Sequence, residues 1–416
     1  MERYNTYKDS GVQWLGEIPG HWKTVRVKAL LSERVDKSDT GLEEPLSMSQ
    51  KYGIIPTKEM DVVPNMASTF IGAKRVFKRD LVFNKLKAHL GVFAISKYDG
   101  LVSPDYAVYT PNERTYLPFM EYVFHSPLYI GEFTRRATGV AIGLTRLYTN
   151  GLFAIPFLYP PIEEQHSIVS YLDDKCGKID KMVEGKQKQI ELLAEMKQRI
   201  VADAVTKGLN SNAKMKATNI LWLPEIPENW KMSKVSSHFK QRNEKVSDKD
   251  YPALSVSKQG ITPQLANVAL SNAEGCSRKL VKVGDYAVNS RSDRKGSCGV
   301  SKYEGSVSLI TIVLEPFNID GDYVHHLFRS NPWVEEFYRN GRGIVADLWT
   351  TNYQMMKSMY MPIPPIEEQH EIVSFVNKKV AKIEALISKL QKEIELIKEY
   401  KQRLISDVVT GQIKVY

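Results

Sequence analysis

The residues best placed for chemistry in this chain are cations set among short polar side chains. Residues 74 to 99 carry seven Lys or Arg (Lys74, Arg75, Lys78, Arg79, Lys85, Lys87, Lys97) against Asp80 and Asp99. Residues 278 to 303 carry seven more (Arg278, Lys279, Lys282, Arg291, Arg294, Lys295, Lys302) against Asp285 and Asp293. Such clusters neutralise phosphates and give an affinity that falls steeply with salt. Within them lie two dissimilar turns, Asn84-Lys85-Leu86-Lys87-Ala88-His89 and Asn289-Ser290-Arg291-Ser292-Asp293-Arg294-Lys295. Arg and Lys pair with guanine edges, and Asn or Gln with adenine edges, so unlike turns imply unlike base readout. Four more polar loops qualify: Ser47 to Lys51 with Ser49 and Lys51, Ser255 to Gln259 with Ser257 and Lys258, Gly139 to Arg146 with Thr145 and Arg146, and Gly341 to Thr351 with Arg342 and Thr350. The expected DNA-binding set is these residues together with Asn84, Lys85, Lys87, His89, Asn289, Arg291, Arg294 and Lys295. A lone basic turn is more often a solvated surface; its recurrence in both halves of the chain argues for binding.

No catalytic constellation accompanies them. The sequence has no G-x-x-x-x-G-K-[ST] phosphate loop and no G-x-G-x-x-G. Asn331-Pro332-Trp333 has the look of a methyltransferase tetrapeptide but lacks its second proline, and reads as a turn. Asp173, Asp174 and Lys175 could suggest a nuclease cluster. Their repeat counterparts are Asn377, Lys378 and Lys379, which favours a helix face. Cys176, Cys276 and Cys298 form no Cys-x-x-Cys pair, so reduced, mostly buried thiols are expected and no metal site. With 57 Lys and Arg against 48 Asp and Glu the chain is basic overall, and nothing approaches 18 consecutive apolar residues or a secretory signal. A cytoplasmic protein that reads a polyanion without an active site of its own is the expectation.

The elements that would position these loops are repeated. Pro161 to Thr206 aligns without a gap on Pro365 to Thr410, with 24 identities in 46 positions. Each half also opens alike: Trp14-Leu15-Gly16-Glu17-Ile18-Pro19 with Trp22, and Trp222-Leu223-Pro224-Glu225-Ile226-Pro227 with Trp230. Weaker echoes join Ser96-Lys97-Tyr98-Asp99-Gly100 to Ser301-Lys302-Tyr303-Glu304-Gly305. The matched segments lack proline after their first residue and carry apolar stripes, which predicts long helices. Ile383, Leu386, Leu390, Ile397, Tyr400 and Leu404 fit positions a and d of a heptad, with Ile387 and Ile394 at e; the first copy offers Ile179, Met182, Val183, Ile190, Leu193, Met196 and Ile200. Forty residues make a rod of about 60 Å. Two such stripes can bury each other, and a pseudo-twofold axis would make the rods antiparallel. Between them, runs such as Leu81-Val82-Phe83, Gly91 to Ile95 and Leu309 to Leu314 read as strands, and Gly208 to Lys216 as a linker. The fold class is α+β: strand-rich globular domains at 1–156 and 210–362, separated by helical segments at 157–209 and 363–416 that form an antiparallel coiled coil.

The opening motif after Tyr7-Lys8-Asp9-Ser10-Gly11, followed by two copies of Pro-Pro-Ile-Glu-Glu-Gln-His at 160–166 and 364–370, resembles the specificity subunit of type I restriction-modification systems. The likeness covers essentially the whole chain, although the usual Arg-Pro dipeptide of the basic turn is replaced by Lys87-Ala88. It implies that each globular domain is a target recognition domain reading half of an asymmetric, bipartite DNA sequence, and that the helices fix the unread spacer. It also implies a non-catalytic subunit with no cofactor of its own. Two modification subunits would carry S-adenosylmethionine, and two restriction subunits ATP with Mg. Gln165, His166, Gln369 and His370, at the helix starts, either dock these partners or close the helix entry. A scaffold that binds proteins, with weak salt-sensitive and sequence-independent DNA binding, is the rival reading. A self-contained nuclease or methyltransferase would need loops that the sequence lacks.

Overall fold

The computed structural model describes residues 2–61, 69–139, 145–264, 278–343 and 349–415. The chain divides into two compact units, Met1–Lys186 with Lys392–Tyr416, and Gln187–Gln391. In the first, an antiparallel sheet runs in the order Leu31–Arg34, Tyr106–Pro111, Leu81–Asn84, Phe93–Ile95. The second has the same order in Phe239–Arg242, Thr311–Pro316, Tyr286–Asn289, Cys298–Val300.

Both faces of each sheet are covered, and strand side chains alternate between two cores. Leu81 and Phe83 enter a core with Phe124 and Phe133 from the helices Leu117–His125 and Pro127–Arg136, while Val82 and Val108 enter another with Met48, Ile54 and Val76. In the second unit Tyr286 and Val288 face the helix side, and Ala287 and Val313 the hairpin side. A strand buried on both faces loses polar alternation, which is why Leu81-Val82-Phe83 is unbroken. One strand begins later than the apolar run suggests: Leu309 and Ile310 form an exposed turn, and pairing starts at Thr311. The stretch read as a linker likewise ends early, because Met215–Ile220 pairs with Leu223–Pro227.

The weak sequence echoes mark tight joints. Ser96 and Ser301 each donate from Oγ to a carbonyl two residues on, Tyr98 at 2.6 Å and Tyr303 at 2.7 Å. A Cβ on Gly100 would meet the Glu44 carbonyl at 2.3 Å, and one on Gly305 the Pro252 carbonyl at 2.5 Å, so only glycine lets these backbones meet. Bidentate pairs bind the sheets to their turns. Arg34 donates to Asp80 at 2.9 and 3.1 Å, and Arg242 to Asp285 at 2.6 and 3.1 Å.

Helix α1 spans Ile162–Lys207 and helix α2 spans Ile366–Val409. Pro161 and Pro365 precede them, and the paired glutamates that follow lie in the first turn, where the helix dipole favours anions. They pair antiparallel. Within the first unit Lys401 meets Asp180 at 2.6 Å and Lys186 meets Glu393 at 2.5 Å; within the second Lys197 meets Glu384 at 3.2 Å. The α2 seam departs from the heptad read in sequence. Ile383, Leu390, Ile394 and Leu404 are buried, with Ile387 and Ile397 partly so, whereas Leu386 is 45% and Tyr400 50% exposed. Seam positions thus alternate by four and three starting from Ile383, and Lys401 takes the place given to Tyr400. In α1, Met182 and Met196 are both 54% exposed and stand off the seam, and Lys186 and Lys197 lie on it. The long stems of Lys cover apolar surface while their ammonium groups reach the partner helix's carboxylates.

Candidate nucleic-acid interface

Asn84 ends its strand and folds the basic turn back on itself: its Oδ1 accepts from the backbone N–H of Leu86 at 3.1 Å and of Lys87 at 3.3 Å. This Asx turn is what asparagine offers at a strand end. Asn289 does the same for Arg291 at 3.2 Å. Each turn is then tied to the second loop of its unit. Leu147 donates its N–H to Lys85 O at 3.0 Å, and Thr351 to Ser290 O at 3.0 Å. Bridges Thr138↔Arg146 and Arg342↔Thr350 close these second loops at their bases, and Arg291↔Thr350 adds a link in the second unit. Residues 140–144 and 344–348, the interiors of those loops, lie outside the described residues.

The hairpin tips join the same clusters. Ser49 Oγ accepts from Tyr52 N at 3.1 Å, and Gln50 donates to the Leu90 carbonyl, bringing the Ser49 to Lys51 tip against the turn at 88–90. Ser257 Oγ accepts from Gln259 N at 3.2 Å, and the Lys258 carbonyl takes a bond from Arg329. The first unit thus gathers its strand-end turn, second loop and hairpin tip, while in the second the turn and second loop are joined and the hairpin tip is tied to the helix end at Arg329. Thr145 stands beside Arg146 at the loop base, and Arg146 meets Asp105 at 3.4 Å. The His89 side chain lies outside the described residues.

The charges at the two turns are spent differently. Arg291 and Arg294 share Asp293 at 3.0 and 3.7 Å, and Lys295 pairs with Glu335 at 2.9 Å. Among the described residues, Lys85 and Lys87 have no carboxylate at ion-pair distance. Lys51 pairs with Asp61 at 3.0 Å and packs over the Tyr52 ring. A cleft of about 750 Å³ opens beside Lys295 in the second unit, walled by Trp222, Trp349 and Tyr338. Sequence reading missed it, because its walls come from segments more than a hundred residues apart.

Several cations of the sequence clusters are engaged in the fold, two of them buried. Lys74 is buried and donates to the Tyr106 carbonyl at 2.7 Å; burial lowers its pKa, and the neighbouring Lys85 charge adds to that. Arg278 is buried against the Ser306 carbonyl at 2.9 Å, Arg75 is held by Asp36 and Glu43, and Lys279 donates to Thr311 O at 2.9 Å. Counting cations overstated the phosphate-facing charge, since a strand residue points inward or outward by register.

The helix starts split by residue type. Gln165 and Gln369 are 1% and 2% exposed, and their amides donate to Pro160 O and Pro364 O, both at 2.9 Å; Gln369 also accepts from Asp320 N at 3.0 Å. These two serve the helix entry. His166 and His370 are exposed, His166 against the Tyr116 ring and His370 3.3 Å from Asp320. Asn331 and Pro332 open the helix Asn331–Arg339, and Asp173 accepts from Tyr122 at 2.6 Å on a helix face. Cys176 and Cys298 are buried and free, and burial pushes the Cys298 thiol up to about 11; Cys276 lies outside the described residues. Among the described residues no group of three or more His, Cys, Asp or Glu is placed to hold a metal, and no helix is long and apolar enough to cross a membrane.

No family model matches the chain. In sequence it is 24% identical over 435 residues, covering 96% of each chain, to a protein of Methanocaldococcus jannaschii named as the type I restriction enzyme MjaX specificity subunit. It is also 24% identical over 277 residues, 61% of this chain and 57% of the other, to the type I restriction enzyme EcoBI specificity subunit of Escherichia coli. Among solved structures it superposes with a TM-score of 0.69 and 14% identity, covering 95% of this chain and 99% of the other, on a chain from a study of complex assembly and conformational transition of the type I R-M system. The HsdS subunit of Thermoanaerobacter tengcongensis gives 0.52 at 14% identity, covering 95% and 98%. From one end to the other, in sequence and in fold, the chain is similar to the specificity subunits of type I restriction enzymes.

Proposed function

We propose that this chain is the non-catalytic DNA-recognition subunit of a type I restriction-modification complex, with each unit reading one half of a bipartite, asymmetric target. One observation carries the reading: a single scaffold is built twice, and the turn it holds out is Asn84-Lys85-Leu86-Lys87 in one unit and Asn289-Ser290-Arg291-Ser292 in the other. Equal scaffolds with unlike faces suit two unlike half-sites. The recognition domains are 1–156 and 210–362; the segments 157–209 and 363–416 set the unread spacer. Ser49, Lys51, Asn84, Lys85, Lys87, His89, Thr145 and Arg146 contact the first half-site. Ser257, Lys258, Asn289, Arg291, Arg294, Lys295, Arg342 and Thr350 contact the second.

Two modification subunits, carrying S-adenosylmethionine, and two restriction subunits, carrying ATP and Mg, dock on the repeated helix starts in the cytoplasm. There His166 and His370 are the exposed contacts, positioned by Gln165 and Gln369. Methylation mapping of genomic DNA from cells with and without this gene tests the proposal. The expected result is one bipartite motif, lost with the gene, of which exchanging residues 1–156 for another member's domain changes one half only. Unchanged methylation, or a change in both halves, overturns it.

A further inference from the structure

The helices Leu117–His125 and Gly321–Arg329 occupy corresponding places in the two units but carry opposite chemistry. In the first unit Glu121 and Tyr122 stand where the second has His325 and His326, and His125 where it has Arg329. Tyr122 donates to Asp173, whose counterpart is Asn377; Asn377 Oδ1 lies 3.0 Å from His326 Nε2. Beside this helix the second unit has a cleft of about 310 Å³ lined by Lys197, His325, His326, Arg329, Asn331 and Glu384. Glu384 is the carboxylate in it, drawn to Lys197 at 3.2 Å. His325 Nδ1 is buried without a hydrogen-bond partner among the described residues. Burial first, then the charges of Arg329 and His326, hold the His325 imidazole down at about 4, so the ring is neutral at pH 7 in a field of positive sign. Arg329 also donates to the Lys258 carbonyl, which joins the cleft to the hairpin tip of the proposed half-site.

We propose that this cleft binds a phosphate group, held by Lys197 and Arg329. A phosphate supplies the negative charge that these two cations favour, in a cleft where Glu384 is the opposing carboxylate. The group is either free phosphate or a backbone phosphate of bound DNA, and the DNA source rests on the recognition role proposed above.

Inorganic phosphate titrated into the full chain, at ionic strength held constant with NaCl, separates this from general salt effects. The midpoint of thermal unfolding should rise with phosphate, and the histidine C2–H resonances should move. Lys197→Met should weaken the apparent phosphate affinity by about tenfold, as expected for a charged hydrogen bond. Glu384→Gln should strengthen it, and Lys401→Met, the counterpart in the first unit, should leave it unchanged. In the second arm, binding of random-sequence duplex is followed against salt. A log–log slope smaller by about one in Lys197→Met identifies a DNA phosphate; an unchanged slope with intact phosphate binding identifies the free ion. No phosphate-dependent shift, or equal losses in Lys197→Met and Lys401→Met, would overturn the proposal. Because the first arm involves no DNA, its failure leaves the recognition reading standing.

Discussion

In the first unit Glu164 is buried and gathers three donors, Tyr4 OH, His21 Nε2 at 2.8 Å and Trp22 Nε1 at 3.0 Å. Its counterpart Glu368 is half-buried and takes Asn229 at 3.0 Å, while Trp230 Nε1 is buried without a partner among the described residues. The difference follows from chain connectivity. In the second unit the strand Met215–Ile220 runs on covalently from α1. In the first unit the corresponding strand, Tyr7–Asp9, does not run on from α2, and hydrogen bonds join the two segments. Tyr7 OH donates to the Gly411 carbonyl at 2.9 Å, Gln412 donates to Glu17 O at 3.0 Å, and Lys414 pairs with Glu2. Hydrogen bonds do there what chain continuity does in the second unit, and the first unit carries the richer polar hub, three donors on Glu164.

The largest expected effect tests whether the units share one scaffold. Asp80→Ala and Asp285→Ala each remove a buried carboxylate that holds a part-buried arginine bidentately, which should cost about 3–5 kcal/mol in both, read by urea denaturation. A large cost in only one unit would break the equivalence. Glu164→Ala should then cost about 2–4 kcal/mol by leaving buried donors unpaired, whereas Glu368→Ala should cost about 1 kcal/mol or less. Equal losses would mean that the extra donors on Glu164 add nothing over its counterpart.

Acid sharpens the contrast further, because the signs oppose. His325 has a folded pKa of about 4, below its unfolded value, so between 6.5 and 4 the unfolded chain binds more protons and stability falls as pH drops. Between pH 7.5 and 5 that amounts to about 2 kcal/mol. Glu121, in the corresponding place, is raised by burial, so its neutral form favours the fold and lowering the pH relieves its cost. Hydrogen exchange should show the second unit loosening before the first at pH 5; simultaneous loosening would count against it. At the turns, Arg291→Ala should weaken binding of the cognate site by about 1–3 kcal/mol if it reads guanine, with relaxed specificity in one half-site only. A uniform loss over all sequences would assign it to phosphate. Smallest of all, Lys197→Ala and Lys401→Ala should each lower stability by under about 1 kcal/mol, equally, as half-exposed ion pairs do.

Much of this was legible in residue order. The 46-position repeat, the proline before each helix and the turn-forming Asn84 and Asn289 are local signals, set by backbone sterics and short-range hydrogen bonds, and they survive folding unchanged. Only the tertiary structure decided which cations stay outside. Lys74 and Arg278 looked like phosphate ligands, but sheet register turned them inward onto carbonyls. It also chose the helix seam, leaving Leu386 and Tyr400 in solvent, because which stripe is buried depends on the helix that faces it. Pairing across hundreds of residues is a property of the folded surface, and a linear pattern of apolar and charged residues carries no record of it.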